Sequence, residues 1–129
     1  MNGSTSRILA FDPGEMVGIA LLEDGEFLWG MTCKAKAFER YPFILSLTKM
    51  TNPTTIVIES PPNQTPHFNK DQVHVYELLK SYYEIAGLTV VCITPGQWKR
   101  LVERCKIDVT HVRDAADMAT LQYRKELKK

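Results

Sequence analysis

Residues 7–32, RILAFDPGEMVGIALLEDGEFLWGMT, decide the fold because they hold three apolar runs separated by two turn sequences. DPG at residues 12–14 follows the first run, and EDG at residues 23–25 lies between the second and the third. An Asp-Gly turn between apolar runs is typical of a β-hairpin. The stretch therefore predicts a three-stranded antiparallel meander, with strands over residues 7–11, 17–22 and 26–32.

Helical and strand patterns alternate after the meander. Residues 38–50 have helical periodicity, with a predicted buried face of Phe43, Leu47 and Met50. Consecutive β-branched residues predict a strand over residues 54–58 that is covered on both faces, as in parallel sheets. Asp71 is predicted to cap the next helix, which ends before Gly87 and buries Val75, Leu78, Leu79, Tyr82 and Ile85.

The last third of the chain predicts a strand over residues 88–93, a short helix over 97–104 and a final helix from about His111. A meander followed by β-α units predicts an α/β fold, with a mixed five-stranded sheet and helices on both faces. At 129 residues, of which 44% are hydrophobic, we expect a single domain over residues 1–129.

Composition and charge bear on the class of protein. Three cysteines without CxxC spacing fit neither a disulfide framework nor a zinc knuckle, and they favour a reducing compartment. No apolar run approaches the ~18 residues of a membrane span and no signal-peptide pattern is present, so we expect a cytoplasmic protein without membrane partners. The net charge of +1 conceals an uneven distribution, with −4 over residues 1–30 and +4 over residues 99–129, and therefore does not argue against nucleic-acid binding.

Two acidic residues follow predicted buried strands. Asp12 follows the first strand and Glu59 follows the fourth. If these strands are parallel, both acids lie at the sheet edge where α/β proteins bind ligands. Neighbouring carboxylates raise each other's pKa unless a cation lies between them, and such clusters suit Mg²⁺ and Mn²⁺. Each acid also has a structural explanation, because Asp-Pro-Gly is a frequent turn and a strand can end in a surface acid.

Asp114 and Asp117 form a second acidic pair. Their spacing places them on adjacent parts of one helical face, which His111 extends. Acids near a helix amino end are also favoured by the helix dipole, so this pair alone does not establish a site. The opposite stripe is predicted to pack on the sheet and consists of Val112, Ala116, Ala119 and Tyr123.

Together these segments resemble RuvC-type Holliday-junction resolvases. ILAFDPG at residues 8–14, with Gly18 and Ala20, is similar to the opening signature of that family. IVIE at residues 56–59 resembles its second acidic motif, and DAADMA at residues 114–119 resembles its terminal acidic stretch. The three matches occur in the order of the family and together span nearly the whole chain.

The resemblance implies a ribonuclease H-like fold and a homodimeric endonuclease that acts on four-way DNA junctions, of the compact kind expected of a phage or virus. It implies two Mg²⁺ ions, replaceable by Mn²⁺, and no small-molecule cofactor. Such ions, ~3.5–4 Å apart, activate a water and stabilise the leaving oxygen in phosphodiester hydrolysis. The implied ligands are Asp12, Glu59, Asp114 and Asp117. Some relatives have a histidine three residues before the key aspartate, so His111 with Asp114 is an alternative pair.

The resemblance also implies contacts to DNA. Lys99 matches the lysine that relatives carry after the fifth strand, and Phe68 corresponds to the aromatic residue that they press into the junction. Further phosphate contacts are expected from a basic stretch ahead of the acidic helix, which includes Arg100, Lys106 and Arg113. Each of these residues has an equally simple interpretation as an ordinary surface or packing residue.

Three other functions remain open. A nuclease of this fold could act on RNA or on other branched DNA, and a protein that keeps the acids could bind junctions without cleaving them. Asp-Pro-Gly after a first strand also opens the nucleotide-binding fold of actin and sugar kinases, although 129 residues leave no room for its second domain. Cleavage of junction, flap and RNA–DNA hybrid substrates separates the nucleases, junction binding without product identifies the binding protein, and ATP affinity without metal-dependent cleavage identifies the nucleotide-binding fold.

Overall fold

The computed structural model describes residues 5–61, 70–94 and 110–128, and the strands within these ranges form one mixed sheet. The sheet has five strands in the order β3-β2-β1-β4-β5. The pairs β1–β2 and β2–β3 are antiparallel, whereas β1–β4 and β4–β5 are parallel. The predicted meander followed by parallel strands is therefore confirmed. The strands are β1 (Arg7–Asp12), β2 (Met16–Glu23), β3 (Glu26–Lys34), β4 (Thr55–Glu59) and β5 (Thr89–Ile93).

Helices cover both faces of this sheet, as predicted. A 3₁₀ helix, η1 (Ala35–Glu39), precedes α1 (Tyr41–Thr51), and the other described helices are α2 (Lys70–Ile85) and α3 (Thr110–Leu127). The single helix predicted over residues 38–50 is wrong at its start, because Phe38 belongs to η1 and the backbone of Arg40 is extended. None of these helices is long and apolar enough to cross a membrane.

Side chains alternate between two cores along each strand. Ile8, Ala10 and Val57 pack on one face with the apolar side of α3. Leu9 and Phe11 pack on the other face with residues of η1, α1 and α2. This alternation determines which helix covers each residue at the end of a strand.

The DG hairpin forms between β2 and β3. Asp24 and Gly25 both have positive φ, at 49° and 88°, which is the combination required by the tight turn that joins twisted strands. The backbone N–H of Asp24 donates to the carbonyl oxygen of Ser6 at 2.8 Å. The turn prediction for residues 23–25 is therefore confirmed.

Three predictions for α1 and α2 are wrong in detail. Met50 is 61% exposed and Ile85 is 87% exposed, although both were expected in the core. In α2 the buried residues are spaced four apart and end at Tyr83, so Ile85 lies about 200° further around the helix. Asp71 lies inside the first turn of α2 and is not its cap, because the helix begins at Lys70.

Candidate active site

Asp12 and Glu59 are neighbours at the carboxyl ends of two adjacent parallel strands. The last registered pair of β1 and β4 is Phe11 with Ile58, and each acid is the next residue along its strand. Phe11 and Ile58 belong to the core of η1, α1 and α2, so alternation directs both acids towards the face that α3 covers. The sequence-based expectation that these two positions lie at the same sheet edge is confirmed.

The first turn of α3 lies directly over this edge because β2 has a glycine there. Gly18 is registered with Asp12, and a Cβ at Gly18 would lie 2.1 Å from the backbone oxygen of His111. A side chain at this position would therefore collide with the helix backbone. The sequence contained Gly18 within a motif, but periodicity and composition gave no indication of this close approach.

His111 lies beside Asp12. Its Nδ1 atom is 3.6 Å from Oδ2 of Asp12, and about half of its side chain is exposed. Asp114, one turn further along α3, is half-buried. The structure therefore brings His111 to the end of β1, where it adjoins one of the predicted ligands.

Asp117 is completely buried, with 0% exposure. The sequence predicts Asp117 on the side of the helix away from the packed stripe, and the structure buries that side as well. The stripe of Val112, Ala116 and Ala119 is buried as expected, but α3 is also buried at Met118 and Leu121 and so is covered around most of its circumference. A carboxylate in this position is costly unless hydrogen bonds or cations compensate for lost hydration.

The acidic residues at this site have the chemistry of a hard-cation site. Asp12 and Glu59 are only 8% and 6% exposed, and all four predicted acids have polar partners. The Oδ2 atom of Asp117 is buried and accepts no hydrogen bond from the residues that the structure describes. Oxygen donors of this kind are the preferred ligands of Mg²⁺ and Mn²⁺.

The side chains do not yet converge on one point. No three His, Cys, Asp or Glu side chains among residues 5–61, 70–94 and 110–128 are grouped closely enough to hold a metal ion. Carboxylates repel one another when no cation lies between them, so rotation about their side-chain bonds is needed before several could share an ion. The donor set thus fits a divalent metal in kind, but the described side chains are not arranged to hold one.

The predicted DNA contacts fall mostly outside the described residues, where Phe68, Lys99, Arg100 and Lys106 all lie. Arg113 is described and is half-buried in the first turn of α3. Its Nε atom is buried without a hydrogen-bond partner among the described residues, so this side chain is not simply a solvated surface cation. The short helix predicted over residues 97–104 also lies outside the described ranges.

Solved structures similar to this one include junction resolvases. The Thermus thermophilus RuvC structure superposes with a TM-score of 0.71 at 15% identity, covering 95% of this chain and 96% of that one. RuvC of the same species in complex with Holliday junction substrate has a TM-score of 0.67 at 16% identity, with the same coverage. The yeast mitochondrial Holliday junction resolvase Ydc2 has a TM-score of 0.67 at 12% identity, covering 95% of this chain and 82% of that one.

Comparison of the sequence alone finds no related protein. No protein-family model matches the chain, and no curated protein sequence matches it. The similarity is thus one of three-dimensional structure, and it extends over about 95% of the chain. On this ground the chain has the ribonuclease H-like fold of RuvC.

Proposed function

We propose that this protein is a metal-dependent endonuclease that resolves four-way DNA junctions. The observation that carries the proposal is a set of three buried carboxylates. Asp12 and Glu59 lie at the carboxyl ends of β1 and β4, and Asp117 lies on α3, which covers that face of the sheet. The fold shared with RuvC, one structure of which holds Holliday junction DNA, supports this choice of substrate.

Asp12, Glu59, Asp114 and Asp117 are the proposed ligands of two divalent ions, Mg²⁺ or Mn²⁺. These residues would hold the ions, which when bound would supply Lewis-acid chemistry that activates a water and stabilises the leaving oxygen of the phosphodiester. The amino end of α3 lies over the same edge, and its helix dipole favours the approach of an anionic phosphate. The residues of the chain thus provide both the cation ligands and a favourable electrostatic environment for the substrate.

His111 is the alternative to Asp117 as the partner of Asp114. Its contact with Asp12 supports a role at the site, whereas the complete burial of Asp117 supports the acid. Replacing each in turn separates them. If Asp117 is the ligand, Asp117→Asn loses metal binding and cleavage while His111→Asn keeps most of both, and the reverse pattern identifies His111.

A substrate panel tests the proposed function. Wild-type protein is incubated with a synthetic four-way junction, a flap and an RNA–DNA hybrid of matched sequence, each with Mg²⁺, with Mn²⁺ and with EDTA. We expect paired nicks in the junction with either metal and none with EDTA. Preferential cleavage of the hybrid or the flap would reassign the substrate, and junction binding without any product would identify a binding protein.

Metal binding has a readout that is independent of cleavage. An ion present at ten times its Kd stabilises the folded protein by about 1.4 kcal/mol. We therefore expect the melting temperature of the wild type to rise with Mg²⁺ and that of Glu59→Gln to rise much less. Glu84→Gln is the matched control, because Glu84 is exposed on α2 and loses the same charge.

A junction has two strands to cut, and a twofold-symmetric dimer would present two equivalent sites to them. We propose a homodimer on this ground. Light scattering of the protein alone and bound to a junction tests it, and a complex with one chain per junction would contradict it.

A further inference from the structure

Three exposed cations follow one another where β3 passes into η1 and α1. They are Lys34, Lys36 and Arg40, here called the cationic row. Among residues 5–61, 70–94 and 110–128, no carboxylate forms an ion pair with any of them. The neighbouring Glu39 lies 4.0 Å from His74 Nε2. Arg7, by contrast, is paired with Glu23. Glu15 and Asp71 line a hollow of about 270 Å³ together with Lys34 and Lys36 but form no ion pair with them.

The row lies at the same end of the sheet as the acids. Asp12 is registered with Gly18, Gly18 with Thr32, and Lys34 is two residues beyond Thr32. Two strand spacings of ~4.8 Å and two residues of ~3.4 Å place the backbone of Lys34 roughly 12 Å from that of Asp12. The start of η1 is fixed to the loop after Asp12, because Ala35 N–H donates to the carbonyl oxygen of Glu15 at 3.0 Å.

A hollow of about 760 Å³ adjoins the row. Its lining is mainly apolar and carries cations from two residues of the row, and it consists of Lys36, Ala37, Arg40, Pro42 and Phe43. Phe43 is held in place by an edge-to-face contact with the buried ring of Phe38, with centroids 5.2 Å apart. An apolar surface beside exposed cations matches a nucleotide, whose phosphate is anionic and whose base has apolar faces.

We propose that the cationic row binds the DNA backbone on one side of the cleavage site and that the hollow receives an unstacked nucleotide of that strand. The inference rests on the proposed function and adds to it a second DNA-binding surface, separate from residues 99–113. Successive charges of one strand are ~3.4 Å apart along the helix axis, so roughly 12 Å corresponds to three or four phosphates. Lys34 would therefore hold the strand a few nucleotides from the phosphate that is cut.

The test compares two triple variants that lose the same charge. The first replaces Lys34, Lys36 and Arg40 with glutamine. The control replaces the exposed residues Lys49, Lys125 and Lys128 with glutamine. These lie at the other end of the sheet, because α1 and α3 end beside residues 6 and 7 at the start of β1. Affinity for a four-way junction is measured by fluorescence anisotropy from 50 to 300 mM KCl.

Each lost phosphate contact makes the slope of log K against log salt less negative by about 0.9. We expect the slope for the first variant to be less negative by about 2 to 3, while the control keeps the wild-type slope. Equal slopes for the two variants would overturn the inference. Failure of the wild type to bind branched DNA would instead overturn the proposed function, so the two failures are distinguishable.

A fluorescent adenine analogue tests the hollow. Placed a few nucleotides from the cut, it is expected to change its emission on binding the wild type but not on binding the first variant at saturating protein. An unchanged emission at every position within five nucleotides would show that the hollow takes no base.

Discussion

Replacing Gly18 with alanine tests whether the close approach of α3 to β2 determines the geometry of the site. The new Cβ would lie 2.1 Å from the backbone oxygen and 2.3 Å from the backbone carbon of His111. An ordinary contact begins at 3.4 Å, so the first turn of α3 must retreat by roughly 1.3 Å. The obstacle is helix backbone, which cannot rotate away as a flexible side chain could.

Two consequences follow in different measurements. Overpacking of this kind lowers the free energy of unfolding by about 1–3 kcal/mol, and we expect the upper part of that range here. The melting temperature should fall accordingly, by roughly 6–15 °C. A shift of about 1 Å in a catalytic group costs roughly 10²-fold in rate. Gly18→Ala should therefore cleave a junction about 100-fold more slowly when assayed well below its melting temperature.

Gly87→Ala is the matched control. Gly87 has φ of 82° and nothing within 4 Å of an added Cβ, so alanine there costs about 1 kcal/mol through backbone strain alone. It lies before β5, at the end of the sheet opposite the acids, and its cleavage rate should equal that of the wild type. A Gly18→Ala protein with wild-type stability and wild-type activity would refute the reasoning.

Three further predictions concern the core around α1 and α2. Burial raises the pKa of the Cys33 thiol to about 11, which leaves little of the reactive thiolate at pH 8. Mass spectrometry should therefore show that iodoacetamide alkylates Cys33 about tenfold more slowly in the native than in the denatured protein. Equal rates in the two states would contradict this prediction. Burial raises the pKa of Tyr83 to about 12 from 10.0, so the stability linked to its proton is present below pH 10 and is lost as the pH rises towards 12. In urea titrations, the free energy of unfolding of Tyr83→Phe should therefore fall less at alkaline pH than that of the wild type. At pH 7 the variant loses the 2.8 Å hydrogen bond with Thr48, which should lower its free energy of unfolding by about 1 kcal/mol. Leu47→Ala should lower the free energy of unfolding by about 2–5 kcal/mol, whereas Met50→Ala should change it by less than about 0.5 kcal/mol. Similar losses in the two variants would contradict the assigned faces of α1.

The strands and turns could be predicted because their signals are local. DG at residues 24 and 25 specifies a hairpin whatever surrounds it, and the β-branched run before Glu59 specifies a strand that is covered on both faces. Because β1 and β4 are parallel, the neighbouring positions of Asp12 and Glu59 follow from strand direction alone.

The remaining features depend on contacts between distant parts of the chain. Ile85 fits a helical stripe, yet it is exposed because the buried side of α2 follows Val75, Leu79 and Tyr83. Complete burial of Asp117 depends on how α3 is surrounded, and periodicity cannot show this. The cationic row was missed because exposed lysines have no distinctive sequence pattern, and only the pairing of Lys34 with Met16 brings them near the acids.

Cleavage of a synthetic four-way junction by Asp12→Asn, with Mg²⁺ present, is the most direct test of the central claim. Asparagine keeps the size of the side chain and removes its charge, so the variant should fold, bind the junction and cut it at least about 10³-fold more slowly than the wild type. Glu84→Gln, assayed alongside it, should cut at the wild-type rate. Undiminished cleavage by Asp12→Asn would contradict the assignment of these buried acids to the active site.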